Sequence, residues 1–239
     1  MKNRCLINMF AIIRKELSSF LSSFLGLGIM TAFYILMGIY LWWLDGNILD
    51  YGFAEMRVFF DLSPWFFLFF IPALSMRLFA EEFEMRTFDL LRSLPIRMNS
   101  ILLGKLLATF LLVCIILIPT AVFVYSISQL GSPMGNYDAS LVIGSYVGLL
   151  LLCAVFVCLS TLASALVTKQ SLAFVMGLVF NFAIWQGMQE IQSLETWSVF
   201  AHYQQLSKGV IDAGSVLYFL GLCALITGLI RLRLDLKFA

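Results

Sequence analysis

EEFEMRTFDLLRSLPIRMNSILLGK, residues Glu81 to Lys105, is a charged interruption between two strongly apolar runs, and its reading decides the fold. Upstream lies FFDLSPWFFLFFIPALSMRLF (Phe59–Phe79), downstream LLATFLLVCIILIPTAVFVYSI (Leu106–Ile127). Each is long enough to cross a bilayer as a helix, which takes about 20 apolar residues. Inside the charged stretch the acids come first, at Glu81, Glu82, Glu84 and Asp89, and the bases continue to its end, at Arg86, Arg92, Arg97 and Lys105. Held between two membrane helices, such a loop can grip a soluble partner.

Composition says the same of the whole chain. Hydrophobic residues make up 62% of the 239 positions and charged residues 12%, so the solvent is the lipid bilayer rather than water. Beyond the two runs already quoted, Phe24–Leu44, Leu141–Val167, Leu172–Met188 and Val216–Leu234 read as further spans. The expectation is an all-α polytopic membrane protein with six transmembrane helices, one domain over residues 1–239, and both termini on the same side. Lys2, Arg4, Arg14, Lys15, Arg77, Arg86, Arg92, Arg97, Lys105, Lys169, Arg231, Arg233 and Lys237 then share one face, against Arg57 and Lys208 on the other. The positive-inside bias places both termini and the Glu81–Lys105 loop in the cytoplasm; the expected location is a bacterial inner membrane. The amino terminus carries no cleavable signal pattern. The cysteines form no disulfide framework or metal spacing.

Ahead of the first span, Leu6, Phe10, Ile13 and Leu17 repeat at helical spacing with Met9 and Phe20 beside them, which predicts an amphipathic interfacial helix over residues 1–23. In the second span, Ser63 reads as a helix cap with Pro64 at the first helical position, while Pro72 and Pro119 read as kinks. LGSPMGN (Leu130–Asn136) is a short turn. Residues 189–215, with Trp197, Phe200, His202 and Tyr203, read as a re-entrant or interfacial segment of short helices on the outer side.

Several chemistries are excluded. Nothing matches the phosphate-cradling G-x-x-x-x-G-K-[ST] loop, since Gly104–Lys105 lacks the first glycine and the hydroxyl, so the chain binds no nucleotide cofactor of its own. His202 is the single histidine and has no nucleophile at a telling spacing, which leaves no catalytic or metal site. Glu81, Glu82 and Arg86 resemble the E-E-x-x-x-R motif of CAAX-type intramembrane proteases, but that chemistry needs further histidines. Asn181, Trp185, Gln189 and Gln192 share one helical face and read either as inter-helix hydrogen bonding or as the lining of a translocation path. The acids fall at span ends or in loops, against a gradient-driven pump.

The order E-E-x-x-x-x-T-x-[DE]-L-L-x-x-L-P-I followed by G-K, here Glu81, Glu82, Thr87, Asp89, Leu90, Leu91, Leu94, Pro95, Ile96, Gly104 and Lys105, resembles the coupling region of ABC-2 type transporter permeases. AIIRKELSSFLSS (Ala11–Ser23), ILDYGFAEM (Ile48–Met56), SPWFFLFFIPALSMRLFAEE (Ser63–Glu82), QLGSPMGN (Gln129–Asn136) and HYQQLSKGVIDAGSVLYF (His202–Phe219) are similar to the gliding-motility-associated, GldF-type branch of that family. The resemblance implies a permease subunit of an ATP-driven exporter, paired with a second permease subunit as a homo- or heterodimer and with a companion gliding-motility membrane subunit. ATP and Mg would be bound by a separate ABC ATPase subunit, and no nucleic acid is expected as a partner. It also implies a cytoplasmic coupling helix within residues 80–105 that docks on the ATPase, with Glu81, Glu82, Arg86, Thr87, Asp89, Leu90, Leu91 and Pro95 as the coupling residues. In this reading the acids open that helix and Pro95 ends it. Arg86 departs from the pattern by standing where these permeases often have glycine. The alternative is a static membrane anchor of a motility or secretion machine.

Overall fold

In the computed structural model, residues 2–43, 56–88, 98–130, 138–187, 189, 197–209 and 212–238 are described, and they are helical apart from turns and caps. The helices are α1 (Lys2–Leu21), α2 (Phe24–Trp42), α3 (Arg57–Ser75), α4 (Ala80–Glu84), α5 (Met98–Leu117), α6 (Ala121–Leu130), α7 (Ala139–Leu166), α8 (Gln170–Phe182), α9 (Val199–Ser207) and α10 (Ala213–Phe238). A 3₁₀ turn at Ile118–Thr120 links α5 to α6, and a π turn at Ala183–Gly187 continues α8.

Four runs are long and apolar enough to cross a membrane: Arg57–Glu84, Met98–Gln129, Ala139–Leu166 and Ala213–Leu236. Met9–Leu21 and Gly26–Trp42, bent by 65°, together make at most a fifth. The six expected spans are therefore more than these helices show. The shortfall is at the first span, which pairs with α1 across the bend capped by Ser23, and at the fifth. There α8 has 13 residues before the π turn, short of the roughly 20 a straight span needs.

α7 is the hub, with α3, α5, α8, α9 and α10 packed around it. Its small residues set how closely the neighbours approach. A Cβ on Gly144 would lie 2.5 Å from the Leu206 carbonyl oxygen, and one on Gly148 would lie 3.1 Å from Leu206 Cβ, so the G-x-x-x-G pair is the seat of α9. Ser160 receives Asn181 of α8, whose Nδ2 donates to its Oγ at 3.0 Å. Outward-facing Leu217, Leu220, Leu225, Leu229 and Leu232 leave α10 with a long exposed apolar face, as expected of a helix solvated by lipid.

Prolines act differently from the expectation at one point. α3 begins at Arg57, so Pro64 lies inside the helix, and Ser63 donates its hydroxyl to Phe59 O at 2.7 Å instead of capping. Pro64 has no N–H for the carbonyl one turn back, that of Phe60, and Tyr203 Oη donates to that oxygen at 2.7 Å. The freed acceptor is thus what ties α9 to α3. Pro119 breaks the next span into the 3₁₀ turn, where Tyr146 Oη lies 2.9 Å from Thr120 Oγ1 and Tyr34 Oη donates to Ile116 O.

Candidate functional site

α1 packs on α5 through Gly104, where an added Cβ would meet Ile12 Cγ2 at 3.1 Å. One helical turn beyond Ile12 stands Glu16, and one residue beyond Gly104 stands Lys105, so the close approach puts the carboxylate at the ammonium. Lys105, 2% exposed, lies 2.7 Å from Glu82 Oε1 and 3.4 Å from Glu16 Oε1, and donates also to the Leu78 carbonyl. Its Nζ sits 5.2 Å from the Phe79 ring centroid. Three segments that are distant in sequence therefore meet on one buried cation. A buried charge is tolerable only when paired in this way, and removing a partner typically costs about 3–5 kcal/mol.

The junction also supports a helix break. Residues 76–79 leave the α-helical path between α3 and α4. Ser164 Oγ accepts from the N–H groups of Phe79 and Ala80, both at 3.1 Å, and donates to Met76 O at 3.1 Å, while Lys105 takes the Leu78 carbonyl. Backbone groups freed by the break are thus satisfied from α7 and α5, the condition for irregular backbone inside a membrane protein.

Beyond the break, α4 carries the first acids of the charged loop. It runs from Ala80 to Glu84 with Glu81 and Glu82 in its first turn, and it continues the second span. The end is a Schellman turn: Thr87 N donates to Glu82 O at 2.9 Å and Arg86 N to Phe83 O at 3.3 Å. Arg86 takes φ +56°, the conformation for which glycine is suited, so an arginine here keeps the turn against a steric cost. Phe88 is helical again. Asp89, Leu90, Leu91 and Pro95 lie outside the described residues, as does Gln192.

The predicted coupling residues thus divide. Glu82 turns inward to Lys105, with its Oε2 buried and without a hydrogen-bond partner among the described residues. Glu81 is half-buried, while Glu84, Met85, Arg86 and Thr87 form an exposed edge. Glu84 Oε2 accepts from Gln170 N at 3.4 Å, serving the start of α8, whose own cap residue Lys169 gives no side-chain bond. Glu16 was not singled out from the sequence, and Lys105, quoted there as the end of the charged loop and of the G-K motif, was given no coupling role. A lysine inside the apolar run ILLGKLLATF was the available signal, since such a charge demands a partner.

This loop geometry lies within the stretch that carries a family assignment. The family model described as ABC-2 family transporter protein matches residues 45–230. The chain belongs to the ABC-2 transporter family. No curated protein matches it. Membership makes the chain a multi-pass membrane permease component of an ABC exporter, a transport component without an ATPase site of its own, which works with an ABC ATPase subunit.

At the other end of α3 the permease has an open cavity of about 610 Å³. Arg57, Asp61 and Trp65 come from one stripe of α3, Trp185, Gln186 and Gln189 from the π turn and the residues after it, and Tyr203 and Gln204 from α9. Of the predicted lining face, Trp185 and Gln189 reach this cavity. Asn181 instead bridges α8 to α7. Trp185 is packed edge-on against Phe156, Phe200 and Tyr203, and burial pushes the Tyr203 phenol well up, so it stays a donor to Phe60 O.

His202 does find a hydroxyl. Its Nδ1 lies 3.0 Å from Ser215 Oγ, a pairing across α9 and α10 that spacing alone did not reveal. Ser215 donates its proton to Gln205 Oε1, which can only accept, so Nδ1 must carry the hydrogen toward Ser215. Asp212 Oδ2 accepts from Ser215 N. The imidazole is thus placed as a donor to a buried serine, the reverse of a base activating a nucleophile.

Proposed function

We propose that this chain is the permease subunit that couples ATP hydrolysis by a separate ABC ATPase to movement of a substrate across a bacterial inner membrane, with the Lys105 junction as the coupling element. The observation that carries this reading is that one buried ammonium joins α1, the α3–α4 break and α5 directly behind the exposed edge Glu84–Thr87. A push on that edge moves α4 as a body, and the Glu82–Lys105–Glu16 contacts pass it to α1 and α5 rather than letting the break absorb it. Glu81, Arg86 and Thr87, with Asp89, Leu90, Leu91 and Pro95 beyond them, supply the docking face. Glu82 is the inner link.

In the full arrangement α2 and α8 also cross, giving six spans with both termini and the charged loop cytoplasmic. The thirteen-to-two division of Lys and Arg supports that orientation. α1 then lies along the cytoplasmic interface, and a second permease subunit completes the transporter. The ordered GldF-like stretches support a role in gliding motility.

The test is ATPase stimulation in proteoliposomes holding the permease and its ATPase. Arg86→Glu, on the exposed edge, should weaken docking by about tenfold, the equivalent of roughly 1.4 kcal/mol. Glu82→Gln should leave the ATPase bound yet cut the stimulation. Wild-type stimulation by both variants would remove the junction from coupling. An ATPase-dead partner separates transport from a static anchor, because only the anchor still works without turnover.

A further inference from the structure

Across α3, about 28 Å long over its 19 residues at about 1.5 Å per residue, the cavity lies at the far end from the Lys105 junction. Its size falls within the range of about 300–1,000 Å³ typical of small-molecule sites. Its chemistry is uneven. Lys208, exposed at the end of α9, has no ion-pair partner among the described residues. Arg57 has a 3.6 Å contact with Asp61 in which both side chains are largely exposed, a pair worth little. Two cations and one carboxylate leave the lining one positive charge in excess.

Hydrogen-bonding capacity points the same way. Trp185 Nε1 can only donate, and it is buried with no partner among the described residues. The side-chain amides of Gln186 and Gln204 likewise have no intramolecular hydrogen bond among those residues. The lining is also aromatic, with Phe60, Trp65, Trp185, Phe200 and Tyr203. A π turn, which re-aims side chains and recurs at functional sites, sets Trp185 and Gln186 in place.

We propose that this cavity binds an anionic amphiphile, with its acidic headgroup at Lys208 and Arg57 and its apolar body against the aromatic wall. A metal cation would meet a single carboxylate that already faces Arg57, and a neutral polar solute would leave the Lys208 charge unanswered. Resting on the exporter reading, this names the class of molecule carried.

Binding is read on the isolated, detergent-purified permease by native mass spectrometry, without the ATPase, so its failure is separate from a failure of coupling. Dihexanoyl phosphatidylglycerol is the probe, with dihexanoyl phosphatidylcholine and glycerol phosphate as comparisons. Phosphatidylglycerol should bind at least tenfold more tightly than either comparison. Lys208→Gln should weaken it about tenfold and Arg57→Gln severalfold, and both positions are exposed enough for the variants to fold. Equal binding of phosphatidylcholine, or wild-type affinity in Lys208→Gln, overturns the charge assignment. Equal binding of glycerol phosphate overturns the amphiphile, because the aromatic wall would then contribute nothing.

Discussion

Arg86 is held at φ +56° by the two backbone hydrogen bonds of the turn that ends α4. A side chain in this region costs about 1–2 kcal/mol. Glycine removes that cost but has more chain entropy to lose, so Arg86→Gly should gain only a few tenths of a kcal/mol in the turn itself. Hydrogen exchange at the Thr87 amide should slow by less than about twofold in Arg86→Gly and quicken in Arg86→Val, whose branched Cβ resists this conformation. Equal rates in all three would mean that the turn is set by its surroundings rather than by residue 86. The departure from the family's glycine was legible in the sequence. The conformation that makes it matter was not.

His202 is the other residue whose state can be read from outside. It packs face to face with Tyr218, 4.2 Å between ring centroids. Burial lowers its pKa below the usual imidazole range, and the Asp212 carboxylate offsets part of that. With the folded value depressed, the unfolded chain binds the extra proton first. Stability from this group is therefore full above about pH 6.5, the unfolded value, and is lost as pH falls through the folded value. The apparent Tm in detergent should drop between pH 7.5 and 5, and His202→Asn should flatten that part of the profile. An unchanged profile in the variant would assign the acid sensitivity to other groups.

At the scale of elements, helix breaks carry more of the architecture than helix lengths do. Ser164 satisfies two N–H groups and one carbonyl at the α3–α4 break. Ser164→Ala leaves those groups unanswered in a buried site, at about 1–3 kcal/mol for each donor lost. The expected outcome is a loss of about 3 kcal/mol in reversible unfolding in mixed micelles, with proteolysis appearing near residues 76–79. Full stability in Ser164→Ala would show that the break draws its partners from elsewhere. At Pro119 the helix changes to the 3₁₀ turn Ile118–Thr120. Pro64 misled, because a proline after Ser at the head of an apolar run reads as a first helical residue, whereas Tyr203, bonded to Phe60 O across 143 positions, makes its interior position tolerable. Propensity is local, and that compensation is not.

For the whole molecule, α7 holds the centre while two chemically different ends face apart: a buried ionic junction behind the charged loop, and an aromatic cavity rimmed by unpaired donors. Sequence alone determined the solvent, the helical class and the charged loop, and the order of residues in that loop pointed to the family, because apolar run length and linear motifs are properties of neighbours along the chain. The inner turn of Glu82, the meeting of Glu16 with Lys105, the pairing of Asn181 with Ser160, and the joining of Trp185 and Gln189 to Arg57 and Lys208 were decided only by tertiary structure. Each of those depends on how closely two helices approach, and that distance is set by a glycine or serine on one helix facing a particular residue on another, which no spacing within a single segment encodes.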